Sequence, residues 1–362
     1  MVEEYYTNPA ISQSKLKLLL GPNPNIFNTI QEPELYFEEK KHFLIGDAVD
    51  IQLTRSMEEF NQKFHISNLQ NKPSDTIKSI INQVYDHVRE IYGREIQTID
   101  RYADAILDAC NDHNYQSRWI DNTRISKVVE AWEYWEDLKS AEGKTVLSSE
   151  ENDLISQIVM SIRTSPNTSK YFQTSKDVEV LYQLAIYFPC QGVDCKALLD
   201  MVVINHKEKT IQPIDIKTMG DQSIYFPKSL RQRRYDIQAA FYDEALKYFI
   251  ERDDKTLQDY KILPFKFIVE STVNPGNPLV FTCSSELLFM GRWGREENFL
   301  ELNVPDSAET WTKKEYVSYP EIKGFHQLIE DYKWYMENDF EKNRKIVESQ
   351  GEFNIDWNGI IN

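Results

Sequence analysis

Over its first half the chain repeats apolar residues every three or four positions, the spacing of one helix face. Residues 8–54 read as a short helix, a Pro/Asn loop at Gly21-Pro-Asn-Pro-Asn25 and a second helix containing His42-Phe-Leu-Ile-Gly-Asp-Ala-Val-Asp-Ile-Gln-Leu53. The pattern stays helical from about 73 to 165. Pro73-Ser74-Asp75 opens a stretch with Ile77, Ile80, Ile81, Val84, Tyr85 and Val88 in phase, and Ile125, Val128, Val129, Trp132 and Trp135 repeat it. Ser148-Ser-Glu-Glu151 is a capping box ahead of Leu154, Ile155, Ile158, Val159 and Ile162. Three consecutive amphipathic helices predict a layer here, not a sheet.

Near residue 177 the pattern changes. Val178–Phe188, Ala197–Ile204 and Thr210–Thr218 are rich in β-branched and aromatic residues and read as strands. The short polar segment Asn205-His-Lys-Glu-Lys209 joins the last two as a hairpin. A helix follows over roughly 227–250, with Ile237, Phe241, Ala245 and Leu246 on its inner side. Strands at Phe265–Glu270 and Leu279–Cys283 flank the turn Asn274-Pro-Gly-Asn-Pro278, and Phe325, Leu328, Ile329, Tyr332 and Met336 mark a last helix. No internal repeat or low-complexity tract interrupts this order. The simplest reading is one α/β domain whose mixed central sheet is flanked by helices. Its parts are an N-terminal helical motif region (1–54), a helical elaboration (55–175), the core (176–300) and a C-terminal helical region (301–362).

Composition narrows the function classes. A chain of 362 residues, 41% hydrophobic and 27% charged, can bury a core without staples. No apolar run is long enough to cross a membrane, and Met1-Val-Glu-Glu-Tyr-Tyr6 lacks a secretion-signal pattern, so a cytoplasmic protein is expected. Cys110, Cys190, Cys195 and Cys283 fit neither a disulfide framework nor a zinc site and read as reduced core thiols. The net charge of −17 weighs against a protein that coats nucleic acid, though it leaves room for one basic cleft.

The candidate chemistry lies on the strands. In Ile211-Gln-Pro-Ile-Asp-Ile-Lys-Thr218, Asp215 and Lys217 share one face and Ile214 and Ile216 the other. Asp200 sits among apolar neighbours in the preceding strand, where a carboxylate is costly to bury without a compensating cation. The hairpin can bring Asp200 beside Asp215. Two carboxylates plus substrate phosphate oxygens suit a hard ion such as Mg²⁺, and Lys217 can orient or help deprotonate a water attacking phosphorus. Glu179, one strand earlier, offers a third carboxylate. The bland reading of the D-x-K pattern is an ordinary ion pair on a surface strand.

The following helix carries Lys228, Arg231, Arg233 and Arg234 within seven residues and no acid among them. Gln238 and Tyr242, four apart, share a face and can bond a phosphate or a base edge. A solvated basic helix with Tyr242 packed in the core is the equally simple alternative.

These residues in this order resemble the PD-(D/E)XK nuclease superfamily, most of all the phage-type exonuclease VIII and RecB-like exonucleases. The likeness rests on Asp200, Asp215-Ile-Lys217 and Gln238-x-x-x-Tyr242. Ile11-Ser-Gln-Ser-Lys-Leu-Lys17 with Pro24 and Phe27 resembles the family's opening serine motif, Gly46-Asp-Ala-Val-Asp50 its next motif, and Gly143-Lys-Thr-Val-Leu147 and Glu179 further family positions. Asp50 stands where many relatives have a metal-binding histidine, and Arg234 replaces a small residue. The resemblance implies a restriction-endonuclease-like core. It also implies a metal held by Asp200 and Asp215 with help from Asp50, Glu179 and the Ile216 carbonyl. Lys217 would position the water, Gln238 and Tyr242 would engage DNA, and Lys196 with the Lys228–Arg234 cluster would grip phosphates. The implied activity is Mg²⁺- or Mn²⁺-dependent digestion of double-stranded DNA from its 5′ ends, in a homo-oligomeric ring that works with a single-strand annealing protein. The cysteine pattern of the iron–sulfur members is missing, so no cluster is expected.

Gly143-Lys-Thr145 is not an ATP-binding loop, because Leu138 stands where its first glycine belongs and no strand precedes it. The six histidines form no ligand-spaced set, and no G-x-S-x-G elbow occurs.

Overall fold

The computed structural model describes residues 2–20, 41–67, 73–93, 96–141, 143–296, 298–305, 312–319, 321–338, 354–356 and 359–361. The loop expected at 21–25, with Pro24 and Phe27, lies outside the described residues. Two compact units emerge, one of residues 1–55 with 157–362 and one of residues 56–156. Among the described residues no helix is long and apolar enough to cross a membrane.

The first unit begins with α1 (Val2–Thr7), α2 (Gln13–Leu18) and α3 (Lys41–Thr54). Ser12 caps α2, its side chain accepting from the Lys15 amide.

The second unit carries the helical elaboration, with α4 (Met57–Lys63), α5 (Asp75–Tyr92), α6 (Ala103–Asp112), α7 (Asp121–Glu130) and α8 (Trp132–Ser140). Ile80, Ile81, Val84, Ile106, Cys110, Val128, Trp132 and Trp135 close its core, as the helical period predicts. The expected absence of a sheet is corrected. Strand β1 (Phe64–Ser67) pairs in parallel with β2 (Thr145–Ser148). Both strands are four residues long, too short for a period of two to stand out beside the helices.

Helix α9 (Ser149–Thr164) starts at the expected capping box. The Glu151 amide donates to Ser148 Oγ, and the Ser148 amide donates to Glu151 Oε2. The second unit ends within this helix rather than at residue 175, because the last turns bond to the first unit. Ser161 donates to Glu270, and Arg163 donates to the Gln52 and Leu53 carbonyls.

The rest of the first unit is a six-stranded mixed sheet flanked by helices. Its strands are β3 (Val178–Cys190), β4 (Val193–Asn205), β5 (Thr210–Met219), β6 (Lys261–Ile262), β7 (Lys266–Ser271) and β8 (Leu279–Thr282). The order is β3-β4-β5-β7-β8, with β6 beside β5; β5 runs parallel to β6 and β7, and the other neighbours are antiparallel. Gln191 and Gly192, both at positive φ, close the β3–β4 hairpin, as its right-handed twist favours. The hairpin expected at 205–209 also forms, with Asn205 opposite Thr210.

After β5 come a turn at Ser223–Tyr225, α10 (Phe226–Gln232) and α11 (Tyr235–Arg252), the crossover that lets β7 run parallel to β5. Ile237, Phe241, Ala245 and Leu246 of α11 bury against Ile186, Phe188, Leu199, Val202, Ile211 and Phe267 of the sheet. Helix α12 (Ser285–Trp293) packs on α11 so closely that a Cβ on Gly291 would stand 2.0 Å from the Asp236 carbonyl oxygen. Helix α3 packs against β4 and β5, and Gly46 permits it: a Cβ there would lie 3.0 Å from Thr218 Oγ1.

The C-terminal region is not all helical. Strands β9 (Asn298–Pro305) and β10 (Thr312–Tyr319) pair antiparallel before α13 (Phe325–Glu337), and Asn354–Asp356 pairs with Gly359–Ile361. The alternation of Leu300, Leu302 and Val304 with Glu301 and Asn303 is the signal that marks the first of these strands. The four cysteines are free and buried, as expected.

Candidate active site

Strand β5 sets the site. Asp215 shares parity with Ile211, which packs in the core that α11 closes, so its side chain meets that helix. Its Oδ1 accepts from Gln238 Nε2 at 2.6 Å, and its Oδ2 forms an ion pair with the Lys217 ammonium. Asp215 is completely buried. On β4, Asp200 uses Oδ2 to accept from the Ile216 amide at 2.8 Å, which ties one acidic strand to the next. The two aspartates and the lysine are together, as the hairpin and the strand period predict.

The electrostatics of the three are mutual. Burial drives the Asp200 carboxyl well above the ordinary carboxylate value, and the charges of Asp215 and Asp50 push it further against the pull of Lys217. Asp215 is also raised by burial, opposed first by Lys217 and then by Lys17. Burial works against the charge of Lys217, but Asp215 and Asp200 outweigh it and hold the ammonium above the usual lysine value. The Lys217 ammonium is thereby favoured as a cation beside the two carboxyls. Its ammonium also lies 5.2 Å from the centre of the Tyr235 ring.

A cavity of about 500 Å³ opens on this cluster. Lys217, Ile216, Asp50, Gln238, Tyr242 and Arg233 line it, and so does Lys17 from α2. Gln238 and Tyr242 are nearly buried, and Tyr242 packs in the core while also lining the cavity. Burial, then Asp215 and Asp200, push the Tyr242 phenol up, which keeps it a hydroxyl. Lys17 donates to the Arg233 carbonyl at 3.4 Å, and burial, then Lys217, lower its value to about 8.

Asp50, on α3, reaches the same cavity. Its carboxylate accepts from Gln183 Nε2 at 3.3 Å on both oxygens and from Thr54 Oγ1 at 3.3 Å, and Arg55 lies 3.7 Å away. Burial first, opposed by Arg55, raises it to about 6.

Three expected site residues are placed elsewhere. Lys196 is completely buried and donates to the Tyr5 and Asn8 carbonyls at 2.7 and 2.9 Å, so it fastens the N-terminal segment to β4 and grips no phosphate. Arg234, at a left-handed φ of 50°, is spent on Asp236 and the Lys323 carbonyl. Glu179 pairs in register with Ile204, four residues beyond Asp200 and hence about 13 Å along the strand; it is exposed and faces His206 Nε2 at 3.4 Å. Lys228, Arg231 and Arg233 remain exposed. Sequence reasoning missed Lys17 and Gln183. Lys17 is legible as the residue one turn beyond Gln13 and Ser14 of the N-terminal motif, whereas nothing in the sequence marks Gln183.

The donor set decides what the site can hold. Among the described residues no three acids, histidines or cysteines are gathered closely enough to form a complete metal cage. The pair Asp200 and Asp215 nevertheless suits Mg²⁺, which takes one or two carboxylates and fills its octahedron with water and phosphate oxygens. Asp215 Oδ2 is buried with the Lys217 ammonium as its ion-pair partner, and burial destabilises both carboxyls as anions. A divalent cation would relieve both.

No family model matches the sequence, and no curated protein matches it. Among solved structures, the chain is similar to a crystal structure of a "Putative exonuclease" from Eubacterium rectale. The TM-score is 0.34 at 14% identity, covering 80% of this chain and 79% of that one. Similarity at that level carries neither fold nor chemistry across, so both stand on the geometry above.

Proposed function

We propose that this chain is a metal-dependent nuclease of the PD-(D/E)XK type, hydrolysing phosphodiester bonds of double-stranded DNA from its ends in the 5′-to-3′ direction. The observation that carries the chemistry is Asp200 beside the buried Asp215, with Lys217 ion-paired to Asp215 and lining a cavity that Lys17 and Arg233 also line. The choice of duplex DNA, polarity, assembly into a ring and work beside a single-strand annealing protein extend the sequence resemblance.

Asp200 and Asp215 would hold Mg²⁺ or Mn²⁺, which as a Lewis acid lowers the pKa of a bound water and screens charge on phosphate. The remaining work belongs to the chain. Lys217, held cationic, orients the attacking water and faces the charge that builds on the phosphoryl oxygens. Gln238 fixes the Asp215 carboxylate by its bond to Oδ1. Lys17 and Arg233, side by side on the cavity wall, meet backbone phosphates, and Tyr242 donates its hydroxyl. The water oxygen bonds to phosphorus as the opposite P–O bond breaks, the water gives one proton to solvent, and the leaving oxygen takes one proton from solvent to end as an alcohol.

One assay tests this. Linear duplex, closed circular duplex, single-stranded DNA and RNA are incubated with the protein, with and without Mg²⁺. The expected result is Mg²⁺-dependent loss of linear duplex, with circles spared. Digested circles would mean an endonuclease, preferential loss of RNA a ribonuclease, and binding without cleavage a silent member of the fold. Asp215→Ala and Lys217→Ala should each abolish digestion while the protein stays folded. Undiminished cleavage by Asp215→Ala would overturn the site.

A further inference from the structure

The β3–β4 ladder skips one opposing pair within its length, between Tyr182↔Met201 and Leu184↔Leu199. The two residues left unpaired, with the register unchanged on either side, are Asp200 and, opposite it, Gln183. Gln183 has a φ of 51°, a left-handed conformation that disfavours any residue with a side chain. Such conformations persist where the surroundings over-determine them, and they cluster at working sites. The surroundings here are specific. The Gln183 side chain is nearly buried and its amide is fully used. Nε2 donates to Thr54 Oγ1 at 2.9 Å and faces both Asp50 oxygens at 3.3 Å, while Oε1 accepts from Arg55 Nη2 at 3.5 Å.

Asp50 is held by these neighbours. Arg55 lies 3.7 Å from its carboxylate and also donates to Gln183, while Gln183 and Thr54 donate to the same carboxylate. Asp50 lines the cavity and its charge is felt by Asp200, so its orientation matters to anything the two buried aspartates bind. We propose that Gln183 is a positioning residue whose amide fixes the Asp50 carboxylate at the cavity wall, so that the charge Asp50 presents to a divalent cation held by Asp200 and Asp215 has one orientation. This rests on the nuclease reading above. Groups that orient a metal's carboxylates from behind commonly change its affinity by 10–100-fold.

The strained φ supplies a clean variant. Glycine adopts this conformation freely, so Gln183→Gly removes the amide without adding strain. Mg²⁺ is titrated calorimetrically onto the full chain without DNA, alongside thermal melts, for wild type, Gln183→Gly, Asp50→Ala and the double variant. Gln183→Gly should bind Mg²⁺ at least tenfold more weakly while melting close to wild type. The double variant should bind no more weakly than Asp50→Ala, because Gln183 acts through Asp50. Affinity within twofold of wild type in Gln183→Gly, or losses that multiply in the double variant, would overturn the proposal. Should Gln183→Gly fail to fold, Thr54→Val, which removes the hydroxyl between Gln183 and Asp50, carries the test, and wild-type Mg²⁺ affinity there overturns it equally. A wild-type chain that neither binds Mg²⁺ nor cleaves DNA refutes the nuclease reading itself and takes this proposal with it.

Discussion

Gly291→Ala is a test of how the helices hold the site. A Cβ at this position would stand 2.0 Å from the Asp236 carbonyl oxygen, 2.4 Å from its carbon and 2.9 Å from Ala240 Cβ. Ordinary contact begins at 3.4 Å, so α12 must retreat from α11 by more than 1 Å, and the obstacle is backbone that no rotamer change can clear. The retreat also stretches the Arg292 ion pairs to Asp243 and Glu244, now 2.9 and 3.0 Å, that bridge the same two helices. Overpacking costs about 1–3 kcal/mol, and the strained ion pairs place this case near 3 kcal/mol. For a unit of this size that corresponds to a melting temperature lower by roughly 6–12 °C. Gly192→Ala is the control. Gly192 has a φ of +80° with open space around it, so only backbone strain of about 1 kcal/mol applies. Calorimetric melts should show Gly291→Ala unfolding well below Gly192→Ala. Equal shifts, or a Gly291→Ala protein melting within 2 °C of wild type, would refute the packing argument. Because α11 carries Gln238, Gly291→Ala should also lower divalent-dependent cleavage at temperatures where it is still folded.

Four further outcomes follow from the same geometry. Asp200→Asn should keep the stability of the metal-free protein, because the site already disfavours the anion and the amide oxygen can still accept from Ile216, and Mg²⁺ should no longer raise its melting temperature as it does for wild type. Lys196→Met should cost about 1–3 kcal/mol in urea unfolding, since the Tyr5 and Asn8 carbonyls lose their donor, and should leave the Mg²⁺ affinity of the folded protein unchanged. Lys17 titrates at about 8 in the folded chain against 10.5 unfolded, so affinity for linear DNA should fall as pH rises through 8, and Lys17→Arg should abolish that fall in a binding titration. The same depressed value means its buried charge costs stability below pH 8, a cost that vanishes as pH rises toward 10.5; Lys17→Met should therefore melt above wild type at pH 7 and level with it near 10.5.

Much of the fold was legible because strands and helices announce themselves by period. The alternation in 210–218 put Asp215 and Lys217 on one face, and the polar segment 205–209 placed the strand carrying Asp200 beside them. The strands of 64–67 and 145–148 were not legible, because each is one short apolar patch whose partner lies about eighty residues away. The hairpin at 298–319 carried an alternation that the helical reading of the C-terminus passed over.

The sequence by itself determined which residues could do chemistry on β5 and which face they share, since a period of two is a local property of the backbone. Only the tertiary structure decided which other charges join them. Lys196 and Arg234 look like phosphate ligands in a list, yet one is enclosed by carbonyls of the N-terminal segment and the other is locked to Asp236. Glu179 and Gln183 lie four positions apart on one strand, and it is position along the ladder, not residue type, that brings the Gln183 amide and not the Glu179 carboxylate to Asp50. Burial and long-range approach arise from chain segments 100 or more residues apart, as between Gln183 and Asp50, and no local pattern encodes that distance.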